Sequence, residues 1–207
     1  MPLPNEEQSL VISYRSLRRL IGLLGMALPI VVLLWGWTIC GCTRVLPSIS
    51  DYYTLRTRDA FVGILSAIAC FLFTYRGFDD DDHYANFAAL CAVAVAFFPN
   101  SGTPLERRVH FTAAVGLLLV LAYFSLAIFT KSGGHPTPQK LIRNRVYRLC
   151  GGLILACVLG IGLYKSILAD SHLAVWHPVF WLETLALWAF GFSWLVKGET
   201  RGLWRDR

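Results

Sequence analysis

Six apolar runs, separated by short polar segments, organise this sequence. They cover about residues 20–40, 61–75, 84–98, 111–129, 149–164 and 179–196. A helix needs about 20 apolar residues to cross a bilayer, so the second, third and fifth runs are short for this purpose. Runs such as GLLLVLAYFSLAIF do not alternate polar and apolar positions, which excludes the strands of a transmembrane barrel. The pattern predicts an all-α polytopic membrane protein, built as a bundle of six transmembrane helices.

The composition agrees with this architecture. Hydrophobic residues make up 56% of the 207 residues, and charged residues only 15%. A soluble domain typically carries about 25% charged residues. Little chain remains outside the apolar runs, so we expect one domain over residues 1–207, with any chemistry among the spans or in their short loops.

The positions of Lys and Arg predict the orientation of the bundle. Of the 19 basic residues, 13 fall on the side of the membrane that holds both chain ends. The positive-inside rule therefore predicts that both termini are cytoplasmic. Because the basic residues lie at span ends rather than in one patch, the net charge of +6 does not indicate a nucleic-acid partner.

Small residues should bring the helices together, because hydrophobic burial does not drive helix association inside lipid. The sequence contains three ladders of small residues at four-residue spacing: Ala88, Ala92 and Ala96; Gly152, Ala156 and Gly160; and Gly63 with Ala67. The alanine-rich third run predicts the most enclosed helix of the bundle. Tryptophans near the predicted interfaces are interpreted as membrane-belt anchors, namely Trp35, Trp37, Trp176 and Trp194.

Glu183 is the formally charged residue that lies well inside an apolar run. An ionised side chain at such depth costs roughly 2.5 to 3.5 kcal/mol or more, which makes it a functional-site hypothesis by default. The alternative is a structural role, in which a protonated Glu183 bonds to a carbonyl or a hydroxyl and holds helices in register. The sequence leaves both roles open.

Other polar residues gather at the same outer end once the topology is imposed. The predicted ligand-binding set consists of Ser50, Asp51, His110, His177 and Glu183. Three of these, His110, Glu183 and Asp51, are also candidate catalytic residues. The histidines show no HxxxH or HExxH spacing, the cysteines show no metal-binding spacing, and Ser50 lies in no GxSxG motif. No metal and no cofactor is therefore predicted.

The cytoplasmic end carries Arg18, Arg19 and the segment QKLIRNRVYR. This basic rim suits anionic lipid, although the positive-inside rule explains it without any function. Four consecutive carboxylates, Asp79–Asp82, lie between the second and third runs. We expect them to meet the basic residues of the next cytoplasmic loop, Arg143, Arg145 and Arg148.

The block Leu46–Arg76, LPSISDYYTLRTRDAFVGILSAIACFLFTYR, resembles the Frag/DRAM/Sfk superfamily of six-span membrane proteins. That family carries a proline–x–Ile–Ser–Asp-like segment in its first outer loop, then a second span with Phe–x–Gly that ends in Tyr–Arg. The likeness continues at Asn86, His110, Ala113, Ala114, Tyr123 and Trp181-Leu182-Glu183.

This resemblance implies six spans, cytoplasmic termini and a function connected with lipid. Members of the family are associated with remodelling of lipid anchors, with lipid distribution between leaflets and with organelle membranes in autophagy. The loops of this chain are shorter than those of eukaryotic members. We therefore expect a bacterial relative that resides in the inner (plasma) membrane.

Three functions are open at this point. The leading hypothesis is an integral membrane protein that binds, senses or organises lipid through an outer-leaflet polar pocket, formed by the first outer loop and the fourth and sixth spans. The alternative is a membrane-embedded hydrolase or transferase that acts on a lipid or lipid-linked substrate, which leaves open whether the protein is an enzyme. The third is an ion or proton pathway in an oligomer. The expected partners are membrane lipids, with a homo-oligomer or a membrane partner protein as a further alternative.

Overall fold

The computed structural model describes residues 14–75, 82–132, 137–169 and 171–198. Within these ranges the chain forms helices and turns, and no strand occurs. The six long helices are α1 (Tyr14–Thr38), α2 (Arg58–Phe73), α3 (Asp82–Phe97), α4 (Pro104–Tyr123), α5 (Pro138–Leu163) and α6 (Pro178–Lys197). The all-α prediction is confirmed for this part of the chain.

Four of these helices, α1, α4, α5 and α6, are long and apolar enough to cross a membrane. The other two, α2 and α3, have 16 residues each. Sixteen residues span about 24 Å at 1.5 Å per residue, which is less than the roughly 30 Å hydrocarbon core of a bilayer. Large apolar side chains are exposed on the helix surfaces, among them Leu90, Leu149, Leu159 and Ile167. Lipid is the solvent that suits such a surface, so the chain is a helical membrane protein.

Each predicted run coincides largely with one helix, but α4 and α5 begin well before their runs. Both helices start with a threonine cap followed by proline. The Thr103 hydroxyl accepts a hydrogen bond from the Glu106 N–H at 3.3 Å, and the Glu106 carboxylate accepts one from the Thr103 N–H at 2.7 Å. Thr137 caps α5 in the same position ahead of Pro138. Because these start signals are polar, apolar runs alone do not reveal them. The segment QKLIRNRVYR therefore lies in α5 and not in a loop.

The helices form a ring in chain order. Each helix packs against the next one along the chain, and α1 packs against α6 to close the ring. The start of α1 lies beside the end of α6, where the Arg19 Nε donates a hydrogen bond to the Gly198 carbonyl at 3.0 Å. We call this end of the ring the basic end. The opposite end holds a short 3₁₀ helix, Ile49–Thr54, and we call it the loop end.

Two glycines allow α1 and α6 to approach each other closely. A Cβ atom on Gly22 would lie 2.6 Å from the Gly191 carbonyl oxygen, and one on Gly191 would lie 2.5 Å from the Gly22 carbonyl oxygen. By contrast, a Cβ on Gly63 or Gly152 would meet nothing within 4 Å. The prediction that Gly63 and Gly152 pack helices together is therefore wrong, because these two glycines face away from their neighbours.

The alanines of α3 are buried as predicted, but the helix is not enclosed on all sides. Ala88, Ala92 and Ala96 are fully buried, whereas Phe87 and Leu90 are 51% and 66% exposed. One face of α3 therefore packs on the ring and the other carries large side chains outward. The expectation that α3 is the most enclosed helix is wrong, because seven of its 16 residues are buried against ten of the 20 in α6. That expectation rested on alanine content and not on which face the larger residues occupy.

A buried pair of serines links α4 to α6. The helix α4 continues into a turn of π-helix, Phe124–Ile128. In this turn the Ser125 hydroxyl lies 2.9 Å from the Ser193 hydroxyl, which donates to the Phe190 carbonyl at 2.8 Å. Both serines are fully buried. Such hydrogen bonds in membranes stabilise by about 0.6 kcal/mol on average, so the pair assists helix packing without dominating it.

Replacing Gly191 by alanine should weaken the closure between α1 and α6. The added Cβ would press on the Gly22 carbonyl oxygen and on the Met26 side chain. Overpacking of this kind typically costs about 1 to 3 kcal/mol, so the purified Gly191→Ala protein should melt below wild type in detergent. Gly63→Ala is the matched control, because its Cβ would enter open space. Equal melting temperatures for the two variants would contradict the proposed closure.

Candidate functional site

The first loop folds back over the loop end of the ring and becomes part of the core. Its 3₁₀ helix, Ile49–Thr54, begins at Ser48, whose hydroxyl accepts a hydrogen bond from the Asp51 N–H at 3.2 Å. This helix contacts α1, α2 and α6. Most of its side chains are buried, namely Ile49, Ser50, Tyr52 and Tyr53. The loop is therefore a fixed structural element and not an exposed connection.

Two hydrogen bonds fasten this loop to α6. The Ile49 N–H donates to the Glu183 carboxyl group at 2.8 Å, and the Phe180 N–H donates to the Pro47 carbonyl at 3.0 Å. The Ile49 N–H belongs to the first turn of a helix, where donors lack a partner within the helix. Glu183 thus satisfies a backbone donor. Its partner is an N–H group, whereas the predicted structural role gave it a carbonyl or a hydroxyl.

Ser50 forms a hydrogen-bonded pair with His110 of α4. The His110 Nε2 atom lies 2.9 Å from the Ser50 hydroxyl, and the Nδ1 atom lies 2.7 Å from the Phe98 carbonyl oxygen. A carbonyl oxygen can only accept, so we assign the ring proton to Nδ1. The Nε2 atom is then the acceptor for the Ser50 hydroxyl. With His110 only 1% exposed, both ring nitrogens are used inside the protein.

Ser50 and Glu183 supply the polar part of a cavity inside the ring. The cavity has a volume of about 60 Å³, which is room for about four water molecules. Apolar side chains from α1, α2, α3, α4 and α6 form the other walls, including Leu28, Phe61, Leu65, Val95, Leu117 and Leu187. His110 lies behind Ser50 and does not itself line the cavity.

The other two predicted ligand-binding residues, Asp51 and His177, lie apart from this cavity. The half-buried Asp51 accepts a hydrogen bond from the Asn100 side chain at 2.6 Å, which ties the first loop to the α3–α4 loop. His177 precedes α6 in a left-handed backbone conformation with φ of 48°. It is about 9 Å along the helix axis from Glu183. The structure therefore brings together Ser50, His110 and Glu183, and it leaves Asp51 and His177 aside.

Several groups that position the site carried no usable signal in the sequence. The Phe98 carbonyl and the Ile49 N–H are backbone groups, which any residue supplies. Tyr52 is fully buried, and its hydroxyl accepts a hydrogen bond from the Leu46 N–H at 3.3 Å. Burial raises the pKa of the Tyr52 phenol. Gly36 leaves space for the Tyr52 ring, since a Cβ there would lie 2.7 Å from a ring carbon.

The chemistry available at this site is hydrogen bonding and nucleophilic attack. A serine hydroxyl bonded to a histidine base is the arrangement that activates a nucleophile, and a carboxyl group can accept a hydrogen bond from a ligand hydroxyl. Across the described ranges, no group of three or more His, Cys, Asp or Glu side chains is arranged to hold a metal ion. The apolar walls suit hydrocarbon next to the polar groups.

Glu183→Gln should fold with a stability close to wild type, because glutamine keeps an oxygen that accepts from the Ile49 N–H. Glu183→Leu leaves this N–H without its acceptor, and it should lower the free energy of unfolding by about 0.6 to 1.7 kcal/mol. Melting temperatures in detergent measure both effects. If the leucine variant is as stable as the glutamine variant, the hydrogen bond does not hold the loop. A stable glutamine variant that loses bound lipid would show that the carboxyl group itself is used.

Comparison of the chain with protein-family models, with curated proteins and with solved structures finds no match. The resemblance to the Frag/DRAM/Sfk superfamily accordingly stays a prediction.

Proposed function

We propose that this protein binds a membrane lipid at the loop end, with a polar group of the lipid at Ser50 and Glu183. One observation carries the proposal: two polar side chains stand on the wall of an otherwise apolar cavity, and His110 bonds to one of them. A lipid hydroxyl group could donate a hydrogen bond to the Ser50 oxygen or to the Glu183 carboxyl group while hydrocarbon lies against Leu65 and Leu117. Binding sites for small ligands commonly combine apolar walls with a few placed polar groups.

The size of the cavity limits which part of the lipid enters. A volume of about 60 Å³ accommodates a small polar group or a short stretch of methylenes, and not a whole lipid. The rest of the molecule would lie outside the cavity, along the helices. Lys165 would suit a lipid phosphate, because it is exposed and its ammonium group lies 4.1 Å above the ring of Phe111, the residue after His110.

The proposed topology has all six helices crossing the bilayer and both termini in the cytoplasm. The short helices α2 and α3 are neighbours in the ring and pack against α1 and α4, which are long enough to cross. The distribution of Lys and Arg supports the orientation. In that orientation the loop end, with its cavity, belongs to the outer leaflet. A bacterial inner membrane is the proposed location.

A second candidate function, a membrane-embedded hydrolase or transferase, is favoured by the Ser50–His110 pair. In this reaction the Ser50 hydroxyl oxygen attacks the carbonyl carbon of a lipid ester, and His110 Nε2 takes the hydroxyl proton. The bond between the carbonyl carbon and the alcohol oxygen then breaks, and His110 passes the proton to the departing alcohol. The acyl group stays on Ser50. Water or an acceptor hydroxyl releases the acyl group and restores the serine. The Phe98 carbonyl holds the imidazole in the required tautomer.

Cysteine labelling tests the topology. In a background with the six native cysteines replaced by alanine, we would introduce Arg56→Cys, Thr74→Cys and Ser132→Cys, all at exposed positions. An impermeant maleimide should label position 56 from outside, and positions 74 and 132 only after permeabilisation. If position 74 labels from outside while 132 does not, α2 and α3 do not cross. If 56 labels only from inside, the orientation is reversed.

Lipid retention tests the proposed binding. Lipid that copurifies with the protein, measured by mass spectrometry, should fall severalfold in Ser50→Ala and in His110→Gln, because each change removes a member of the hydrogen-bonded pair. His177→Gln is the matched control, since that histidine lies apart from the cavity and from the Ser50–His110 pair, and it should retain wild-type amounts. Equal lipid content in all of these proteins would contradict the proposal.

The same preparation separates binding from catalysis. Incubation with an ester lipid should give no free fatty acid if the protein only binds. Release of fatty acid that disappears in Ser50→Ala, and persists in His177→Gln, would establish the hydrolase function instead. A covalent acyl adduct on Ser50, detected as a mass increase of the intact chain, would identify the intermediate.

A further inference from the structure

The basic end contains a second cavity with different chemistry. Its volume is about 100 Å³, and it is lined by Arg18 of α1, by Lys140, Arg143 and Tyr147 of α5, and by Lys197 of α6. Four cationic side chains from three helices therefore converge on one space. Among the described residues that line the cavity at the loop end, none carries a positive charge.

An aromatic cluster lies beneath these cations. Trp194 is fully buried, and its ring centroid is within 5.8 Å of those of four neighbours: Tyr75, Phe124, Phe129 and Phe190. The interpretation of Trp194 as a membrane-belt anchor is wrong, because its side chain points into the ring of helices. Tightly packed rings give the cavity a rigid base.

Three of the cations stand over aromatic rings at this base. The Arg18 guanidinium lies 5.7 Å from the centroid of the Tyr75 ring. The Lys197 ammonium lies 5.3 Å from the centroid of the Phe129 ring. The Lys140 ammonium lies 5.8 Å from that of Tyr147 and donates to the Phe129 carbonyl at 2.7 Å. Aromatic faces attract cations, so the rings help to hold these three groups in position around the cavity.

Two features of the arginines go beyond what orientation in the membrane requires. Arg143 is only 7% exposed, although the positive-inside rule asks only that a basic residue lie on the correct side. Within the described ranges, the Nε donor of Arg18 is buried and has no hydrogen-bond partner. A buried, unpaired N–H on the wall of a cationic cavity suits an acceptor supplied by a ligand.

We infer that this cavity binds a phosphate group, carried by an anionic lipid or present as free phosphate. The guanidinium fork matches phosphate oxygens in a bidentate manner, and the ammonium groups add point charges. The cavity lies where α1 begins and α5 begins, at the helix ends where lipid headgroups meet a membrane protein. This site shares no lining residue with the proposed lipid site at the loop end, so a test of one proposal does not decide the other.

Thermal stabilisation by added lipid tests the site. The full-length protein would be titrated in detergent with phosphatidylglycerol, with phosphatidylcholine as the lipid of zero net charge, and with inorganic phosphate. Phosphatidylglycerol should raise the melting temperature of wild type in a dose-dependent way, because a ligand that binds the folded state stabilises it. Arg143→Gln should require about tenfold more phosphatidylglycerol for the same shift, which corresponds to about 1.4 kcal/mol.

Arg145→Gln is the matched control, since Arg145 lies on the same helix, carries the same charge and is exposed. It should respond like wild type. An equal loss of response in both variants would overturn the proposal in favour of general surface attraction. If Arg143→Gln does not fold, Lys197→Gln, at a half-buried position of the same cavity, replaces it with the same expectation.

The phosphate arm distinguishes the two sources. Stabilisation by inorganic phosphate that competes with phosphatidylglycerol supports a free phosphate ligand, and stabilisation by phosphatidylglycerol alone supports a lipid. No stabilisation by either would overturn the proposal. Stabilisation that appears only after Asp79, Asp80, Asp81 and Asp82 are replaced by asparagine would also overturn it, since the cations would then pair with the chain's own carboxylates.

Residues 79–81 lie outside the described ranges, so their predicted contact with Arg143, Arg145 and Arg148 stays a prediction.

Discussion

Lipid chains are as apolar as leucine, so helices in a bilayer gain little by hiding hydrophobic side chains from their surroundings. Close backbone approach and hydrogen bonds have to hold them together instead. In this protein the decisive approach occurs between α1 and α6, where Gly22 and Gly191 face each other. That contact joins the first helix to the last one and turns a row of six helices into a ring. The same pair of helices carries Lys197 and Arg18, which share a cavity, and α6 also carries Glu183, which accepts from the Ile49 N–H.

A second constraint explains the polar residues at the loop end. Irregular backbone at membrane depth is tolerated only where its N–H and C=O groups find partners in the protein. The Glu183 carboxyl group accepts from the Ile49 N–H, and the His110 Nδ1–H donates to the Phe98 carbonyl. The Phe180 N–H donates to the Pro47 carbonyl. The costly polar side chains thus hold a folded-in loop. The proposed ligand site arises beside them, because Ser50 and Glu183 each also face the cavity.

The two ends of the ring present different chemistry. At the loop end, a small apolar cavity carries a hydroxyl and a carboxyl group. At the basic end, cations stand over an aromatic base around a larger cavity. In the proposed topology the first belongs to the outer leaflet and the second to the inner leaflet.

Hydropathy and charge determined the class of this protein and the approximate positions of its helices, since apolar runs of this length have few other solutions. They also singled out five polar residues, because polar groups near or within spans are costly and need a reason: Ser50, Asp51, His110, His177 and Glu183. The structure brings only Ser50, His110 and Glu183 together. The sequence named Ser50 and Asp51 side by side and could not show which of them faces His110. In a 3₁₀ helix successive residues differ by about 120° around the axis, so only the placement of the 3₁₀ helix selects one of them. The glycines give a second example, because all four of Gly22, Gly191, Gly63 and Gly152 lie within apolar helices. Only the rotation of each helix in the ring turns Gly22 and Gly191 toward a neighbouring helix and turns Gly63 and Gly152 away from one.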